Sequence, residues 1–317
     1  MLLPRLLNFG FLPVLLSEAQ DTSDHCSKVA GKDFVDPLDA EACLASFPFD
    51  DTLKDNVLSI VSGSLDFYTW EAQYLDLSPP FHEESWDIRA KIKWISQTRY
   101  DVSTSPAPGD ILLIDGISAK TDYQFNRDLY EAVNRLYDGH TCAFFLSPSG
   151  LVHKHFPPSV YQPNCYLTYL YFIPTPIVLL DTGIYIAPDI ADLFGQYGAN
   201  FTAFYEKKGF DWKRLAGAKV HRIGGLPAWK YIDYIADKVA GVYLDHNVRV
   251  NSAFSSYMML ESGHNQRLGF VAARNFLMET SLEFSVVPVN SASKKPECVK
   301  VPFIASYAGA SFEDKES

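Results

Sequence analysis

The sequence predicts an α+β protein in which a helical or mixed N-terminal domain precedes a β-rich module. Apolar residues at helical spacing dominate the chain up to about residue 140, whereas short runs of β-branched and aromatic residues follow from residue 166. The composition, with 317 residues of which 47% are hydrophobic and 21% charged, is that of a globular chain long enough for two domains. We therefore expect an N-terminal domain over residues 20–165, the β-rich module over 166–310 and a frayed tail over 311–317.

The first 19 residues are typical of a secretory signal peptide. Arg5 supplies a positive charge, the apolar run 6–16 follows, and Ser17 and Ala19 are the small residues before a cleavage site. The stretch is too short to span a membrane, and a buried N-terminal helix is the alternative interpretation. We expect a protein of the secretory pathway or a secreted protein, with no membrane attachment once the signal is cleaved.

The N-terminal domain is expected to be largely helical. The fourth expected helix is the best defined, because Phe125, Leu129 and Val133 keep one apolar face toward a core and Gly139 suits the residue that ends a helix. Short strands are expected at 111–114 and 141–146, so that His140 lies at a helix-to-strand junction. The expected helices are Leu38–Phe47, Thr52–Leu65, Ser85–Gln97 and a helix from Thr121 or Asp122 to about Tyr137.

The module after residue 166 is expected to contain short strands with one or two helices, which fits a small β-barrel-like unit better than a βαβ sheet. Pro227 suits the first turn of a helix that runs to about Val239, with Ile232 and Ile235 facing inward. The expected strands are Tyr166–Ile173, Ile177–Leu180, Gly183–Ile186, Lys219–Ile223, Gly269–Ala272, Leu282–Val287 and Val299–Ala305.

Charge and cysteine content exclude several function classes. The net charge of −11 disfavours nucleic acid and anionic membranes as partners, because both attract an excess of Lys and Arg. None of the five cysteines forms a C-x-x-C pair, which disfavours zinc ribbons and thioredoxin-like chemistry. Cys26 and Cys43 are the nearest candidates for a disulfide, and Asn200-Phe201-Thr202 is the sequon that predicts a glycoprotein.

The motif Asp138-Gly139-His140-Thr141 is the strongest candidate for catalysis. It places an imidazole between two regular elements, which suits a general base whose orientation must be fixed. A helix cap with a structural histidine is the alternative, and a zinc site built from His140, His153 and His155 is a further one. The sequence contains no G-x-S-x-G elbow, P-loop or G-x-G-x-x-G motif, so no motif in it indicates an α/β-hydrolase or a nucleotide-binding enzyme.

Two stretches resemble the fungal S41-family peptidases, relatives of the tail-specific proteases that are similar to the chlamydial protease-like activity factor. The first runs from Tyr123 to Tyr130 and leads into the motif around His140. The second, residues 217–228 with the sequence GAKVHRIGGLPA, resembles the PDZ-like module of that family. Residues 164–166 and 248–252 also fit the family pattern, and the resemblance covers roughly residues 38–310.

The resemblance implies that His140 is the general base toward a nucleophilic serine, that the substrate is a polypeptide and that no cofactor or metal ion takes part. Family members found with ustiloxin- and phomopsin-type ribosomal peptide clusters imply a repeat-containing mycotoxin precursor as that polypeptide. In this family the serine belongs to an α/β domain after the PDZ-like module, and we expect that catalytic domain to be missing from residues 1–317. The alternative is a non-catalytic PDZ-like protein that only binds peptides.

Overall fold

The computed structural model of the protein describes residues 24–100, 121–138 and 169–307, apart from residues 48, 80, 82, 242, 261 and 262. This part of the chain is a mixed α+β structure with antiparallel sheets, which confirms the predicted α+β class. None of its helices is both long and apolar enough to cross a membrane. The expected signal peptide, the strands expected at 111–114 and 141–146, and Gly139 lie outside the described residues.

Helices form most of the part before residue 139 and enclose a hydrophobic core that is smaller than the main core of the described residues. In that core Ile92 and Ile95 are buried together with Phe125 and Leu129, as the helical spacing of these residues predicts, and Leu58 is buried with them. Burying each such side chain stabilises the fold by about 1.5–3 kcal/mol. The helices here are α1 (Pro37–Ala45), α2 (Asp51–Leu65), α3 (Glu71–Leu75), α4 (Ile88–Gln97) and α5 (Asp122–Asn134).

The part from residue 169 is rich in strands and contains further helices. Its helices are α6 (Ile190–Gly195), α7 (Gly198–Lys207), α8 (Ala228–Lys238) and α9 (His246–Ala253). With β1 (Phe34–Val35) from the start of the chain, the strands are β2 (Tyr169–Phe172), β3 (Ile177–Leu180), β4 (Gly183–Ile186), β5 (Lys219–Ile223), β6 (Leu226–Pro227), β7 (Ser256–Leu260), β8 (Gly263–Arg267), β9 (Ala273–Arg274), β10 (Ser281–Val287), β11 (Glu297–Pro302) and β12 (Ile304–Tyr307).

Antiparallel pairing arranges these strands in three sheets. The largest has the order β11-β10-β5-β4-β3, with β6 paired to β5, so that β3 and β11 are its edge strands. A second sheet has the order β1-β12-β2-β9, and β7 and β8 form a hairpin. Helix α8 packs against β5 and β6 with Ile232 and Ile235 fully buried, as predicted from their spacing.

The first described segment packs into the larger core and not into the helical one. Val35 and Ala40 are buried in that core, and β1 pairs with β12 in the register Phe34↔Ser306. A disulfide joins Cys26 to Cys43, with 4.5 Å between their Cα atoms, which confirms the predicted pair. Both cysteines are buried in the same core, and the bridge joins the turn at residues 25–28 to α1.

Several expected elements are wrong in type or extent. Residues 269–272 form a turn and not a strand, because Gly269 has a φ of +78°. The strand expected at Val299–Ala305 is divided at Phe303 into β11 and β12, which belong to different sheets. Helix α5 ends three residues before Tyr137, and Tyr137 itself has a φ of 49°. The module contains four described helices in place of one or two, since α6, α7 and α9 were not predicted.

Candidate functional site

The structure describes the approach to the predicted catalytic motif. His140 lies outside the described residues, as do His153 and His155 of the alternative zinc site, whereas Asp138 lies within them. Among the described residues no cluster of three or more His, Cys, Asp or Glu side chains could hold a metal ion. The candidate site is therefore built from α5, from the segment that follows it and from the groups that hold both in place.

Helix α5 is held along its length by the β-rich part of the molecule. At its start the hydroxyl of Thr121 accepts a hydrogen bond from the backbone N–H of Gln124 at 3.3 Å, which caps the helix as predicted. In its first turn Tyr123 donates to the buried carboxylate of Glu41 on α1 at 3.0 Å. Farther along, the hydroxyl of Tyr130 accepts a bond from the amide of Asn275 at 3.0 Å.

The carboxylate of Glu41 joins three elements below α5. It also accepts a hydrogen bond from Tyr171 of β2 at 2.6 Å, so one carboxylate connects α1, α5 and the second sheet. Burial raises the pKa of Glu41, and the two tyrosine hydroxyls oppose that rise. This cluster positions the first half of α5 relative to the sheet.

The segment after α5 docks on the last turn of α8 and on the loop that follows it. The hydroxyl of Tyr137 donates to the backbone carbonyl of Asp237 at 3.5 Å, and Asp138 forms an antiparallel backbone bridge with Tyr243. The carboxylate of Asp138 accepts a hydrogen bond from Tyr68 of the helical part at 3.2 Å. The residue two positions before His140 is therefore held from both parts of the molecule.

Arg249 of α9 is the central cation of this junction and is 1% exposed. Its guanidinium donates to the backbone carbonyls of Ala236, Tyr243 and Leu244 at 2.6–2.8 Å and to the carboxylate of Glu83 at 3.1 Å. The same group lies 4.2 Å from the ring centroid of Tyr137. Burial raises the pKa of Tyr137, and the nearby charge of Arg249 opposes that rise.

An imidazole–carboxylate pair lies beside Arg249. His246 Nδ1 is 3.0 Å from Asp237 Oδ1, and that oxygen is 3.8 Å from the guanidinium of Arg249. Such a pair holds the imidazole in one orientation. This is needed for a general base, and it is equally what a structural contact between α8 and α9 provides. No sequence pattern predicts this pair, because its members belong to different helices and to no motif.

A cavity of about 200 Å³ opens at the same junction. Acidic and basic side chains alternate in its wall, so it is suited to a polar occupant that both donates and accepts hydrogen bonds. Its lining includes Glu83, Arg135, Tyr137, Asp237, Lys238 and Arg249.

The sheet edge at β3 is the second surface of interest. The backbone N–H of Ile186 on β4 points away from β3 and donates to the carbonyl of Ala218 beside β5. Ile186 and its partner on β3, Ile177, are therefore a pair that exchanges no hydrogen bonds. Because bonded and non-bonded pairs alternate in an antiparallel ladder, Ile177 and Leu179 both direct their backbone groups away from β4. The side chain of Leu179 is half exposed.

The stretch that carries the second part of the resemblance forms β5, a turn, β6 and the start of α8. Gly224 and Gly225 in the turn have φ values of 54° and 76°, which favour glycine at both positions. A Cβ atom on Gly224 would lie 2.8 Å from the ring of Tyr231 on α8, so the glycine also permits the close approach of strand and helix.

Comparison with known proteins gives no assignment. No protein-family model matches the chain, and no curated protein shows significant sequence similarity to it.

Proposed function

We propose that this chain is a serine peptidase of the S41 type, or a part of one, that acts on peptide bonds of a secretory-pathway polypeptide. The observation that carries the proposal is the anchoring of Asp138, two residues before His140, between Tyr68 and the backbone of Tyr243. A general base must be held in one orientation toward its nucleophile, and a segment fixed from both sides meets that requirement.

In this proposal His140 takes the proton of a serine hydroxyl as its oxygen attacks the substrate carbonyl. The imidazolium then returns that proton to the leaving amine, so the peptide bond breaks and an acyl-enzyme forms, which water hydrolyses by the same two proton transfers. The serine and the oxyanion-hole donors belong to the α/β domain that the resemblance implies after the PDZ-like module. The substrate in this proposal is a repeat-containing precursor peptide of the ustiloxin or phomopsin type.

The test compares two histidines. The transcript is sequenced past codon 317, the complete product is expressed, and cleavage of dye-quenched casein is measured for the parent, His140→Ala and His246→Ala. We expect His140→Ala to lower kcat by about 10²–10⁴-fold, the range of a lost general base. His246→Ala tests whether the pair with Asp237 is the base instead, and under this proposal it should leave kcat within about twofold.

Three results would contradict the peptidase proposal: no cleavage of casein by the complete product, equal activity in the parent and His140→Ala, or loss of activity only in His246→Ala. The last result would move the general base to the pair formed by His246 and Asp237.

A second candidate, a peptide-binding protein without catalysis, is favoured by the edge strand β3. An extended peptide can add to such an edge through backbone hydrogen bonds, and this mode of binding requires no serine. Binding of peptides by a chain that cleaves no casein, with affinity unchanged by His140→Ala, would support this candidate over the peptidase.

A further inference from the structure

One end of the β3 edge is occupied by the chain itself. The backbone N–H of Ser255 donates to the carbonyl of Ile177 at 2.8 Å, so one of the two outward-facing residues of β3 already has a strand-like partner. Phe254 is 5% exposed, and its ring lies 5.7 Å from that of Trp229 in the first turn of α8. Phe254 and Ser255 therefore fill the space where β3 begins beside α8.

This occupying segment is a fixed part of the fold. The hydroxyl of Ser255 donates to the carbonyl of Arg267 at 2.8 Å, and the carbonyl of Ala253 accepts from the N–H of Val271 at 3.3 Å. A Cβ atom on Gly269 would lie 2.4 Å from the backbone of Phe254, which shows how closely the two backbones pack. A ligand at the β3 edge must accommodate this segment, since displacing it would break the core around Phe254.

The donors near Ile177 are already used. Tyr257, two residues after Ser255, donates a hydrogen bond to the carboxylate of Asp189, and the guanidinium of Arg267, the strand partner of Ser256, donates to the carbonyl of Ser252. Capture of a peptide C-terminus needs unused backbone N–H groups or a cation. The N–H of Ser255 is also used, so a terminal carboxylate here would gain no donor from it.

We infer that the β3 edge takes internal extended segments of a polypeptide and does not require a free C-terminus. The binding residue is Leu179, whose outward N–H and C=O pair with the segment, while Phe254 and Ser255 close the Ile177 end. This inference rests on the peptide-binding function proposed above and names the class of ligand that it takes. A repeat-containing precursor presents its cleavage sites as such internal segments.

The experiment selects ligands from two phage libraries of random peptides, using the full 317-residue chain as bait. In one library each peptide is fused through its C-terminus, and in the other the C-terminus is free. Selected peptides are synthesised with a carboxylate and with an amide end, and their Kd values are measured by fluorescence anisotropy. Leu179→Pro removes an N–H that β4 does not use, and Leu179→Thr, which keeps that N–H, is the reference for loss of the leucine side chain.

We expect binders from the fused library, with Kd values for the two end groups that agree within about twofold. Leu179→Pro should bind about tenfold more weakly than Leu179→Thr, the equivalent of about 1.4 kcal/mol, because the two variants both lose the leucine side chain and only the proline lacks the N–H. The inference would be overturned if the binders came from the free-end library and their affinity fell about tenfold on amidation, and the proposed function would then still stand. Unchanged affinity in Leu179→Pro would overturn it too, and an absence of binders from both libraries would overturn the inference and the peptide-binding function together.

Discussion

Replacement of Arg249 by methionine should be among the most damaging single substitutions in the described residues. The side chain is 2% exposed and donates to three backbone carbonyls and to the carboxylate of Glu83, which is itself 10% exposed. Methionine has a similar length but no donor, so the three backbone carbonyls and Glu83 lose the hydrogen bonds that they accept from the guanidinium. Removal of one partner from such a pair costs about 3–5 kcal/mol, and we expect the free energy of unfolding to fall by that amount.

The measurement is urea unfolding followed by circular dichroism at constant pH, with the free energy extrapolated to water. Arg249→Lys keeps the charge but not the planar set of donors and should lose about half as much. Arg222→Met, at an exposed arginine that donates to the carbonyl of Gly225, is the matched control and should cost about 0.5 kcal/mol or less.

A double-mutant cycle with Glu83→Gln isolates the ion pair. If the pair contributes as argued, the double variant should be more stable than the sum of the two single losses predicts, by about 1–3 kcal/mol. A loss of less than about 1 kcal/mol in Arg249→Met would refute the argument that this guanidinium fixes the junction.

Three further predictions concern other parts of the fold. Burial raises the pKa of Asp122 to about 6, so the folded protein binds a proton between pH 4 and pH 6 that the unfolded chain has released. The free energy of unfolding should therefore decrease as the pH rises through this range, by about 3 kcal/mol more for the parent than for Asp122→Asn. Equal pH profiles of the two proteins in urea unfolding would contradict this prediction. Replacing Cys26 and Cys43 by alanine should lower the free energy of unfolding by about 3 kcal/mol, whereas Cys298→Ala at the exposed thiol should leave it unchanged. The melting temperature of Gly269→Ala should be well below that of Gly31→Ala. Both glycines have a positive φ, but only at Gly269 would a Cβ atom lie 2.4 Å from the backbone, that of Phe254. Equal melting temperatures would show that the backbone near Phe254 moves to accommodate the methyl group.

Local patterns predicted the elements whose own residues favour one type of structure. The bounds of β5 follow from its β-branched residues, and the inward face of α8 follows from the spacing of Ile232 and Ile235 after Pro227, and the structure confirms them. Helix α7 was missed because Gly198 and Thr202 interrupt its pattern, although Phe201 and Tyr205, four residues apart, are both fully buried.

The elements that sequence reasoning placed wrongly depend on distant partners. The division at Phe303 arises because β11 pairs with β10 while β12 pairs with β1 and β2, and no local pattern contains that information. Arg249 belongs to a stretch that fits the family pattern, yet its burial depends on Glu83, which lies 166 positions earlier in the chain. The role of His140 stays a prediction, since it follows from its motif and from the resemblance.

The pairing of β1 with β12 has a consequence for how the protein can be made. The strand at Phe34–Val35 finds its partner in Ile304–Tyr307, so nearly the whole described chain must leave the ribosome before the second sheet can close. Until then α1 and the Cys26–Cys43 bridge have no completed sheet to pack on, and the apolar side chains that this sheet would cover stay exposed. A fragment expressed from residue 166 onward would leave one side of β12 unpaired and should associate with other copies through that edge.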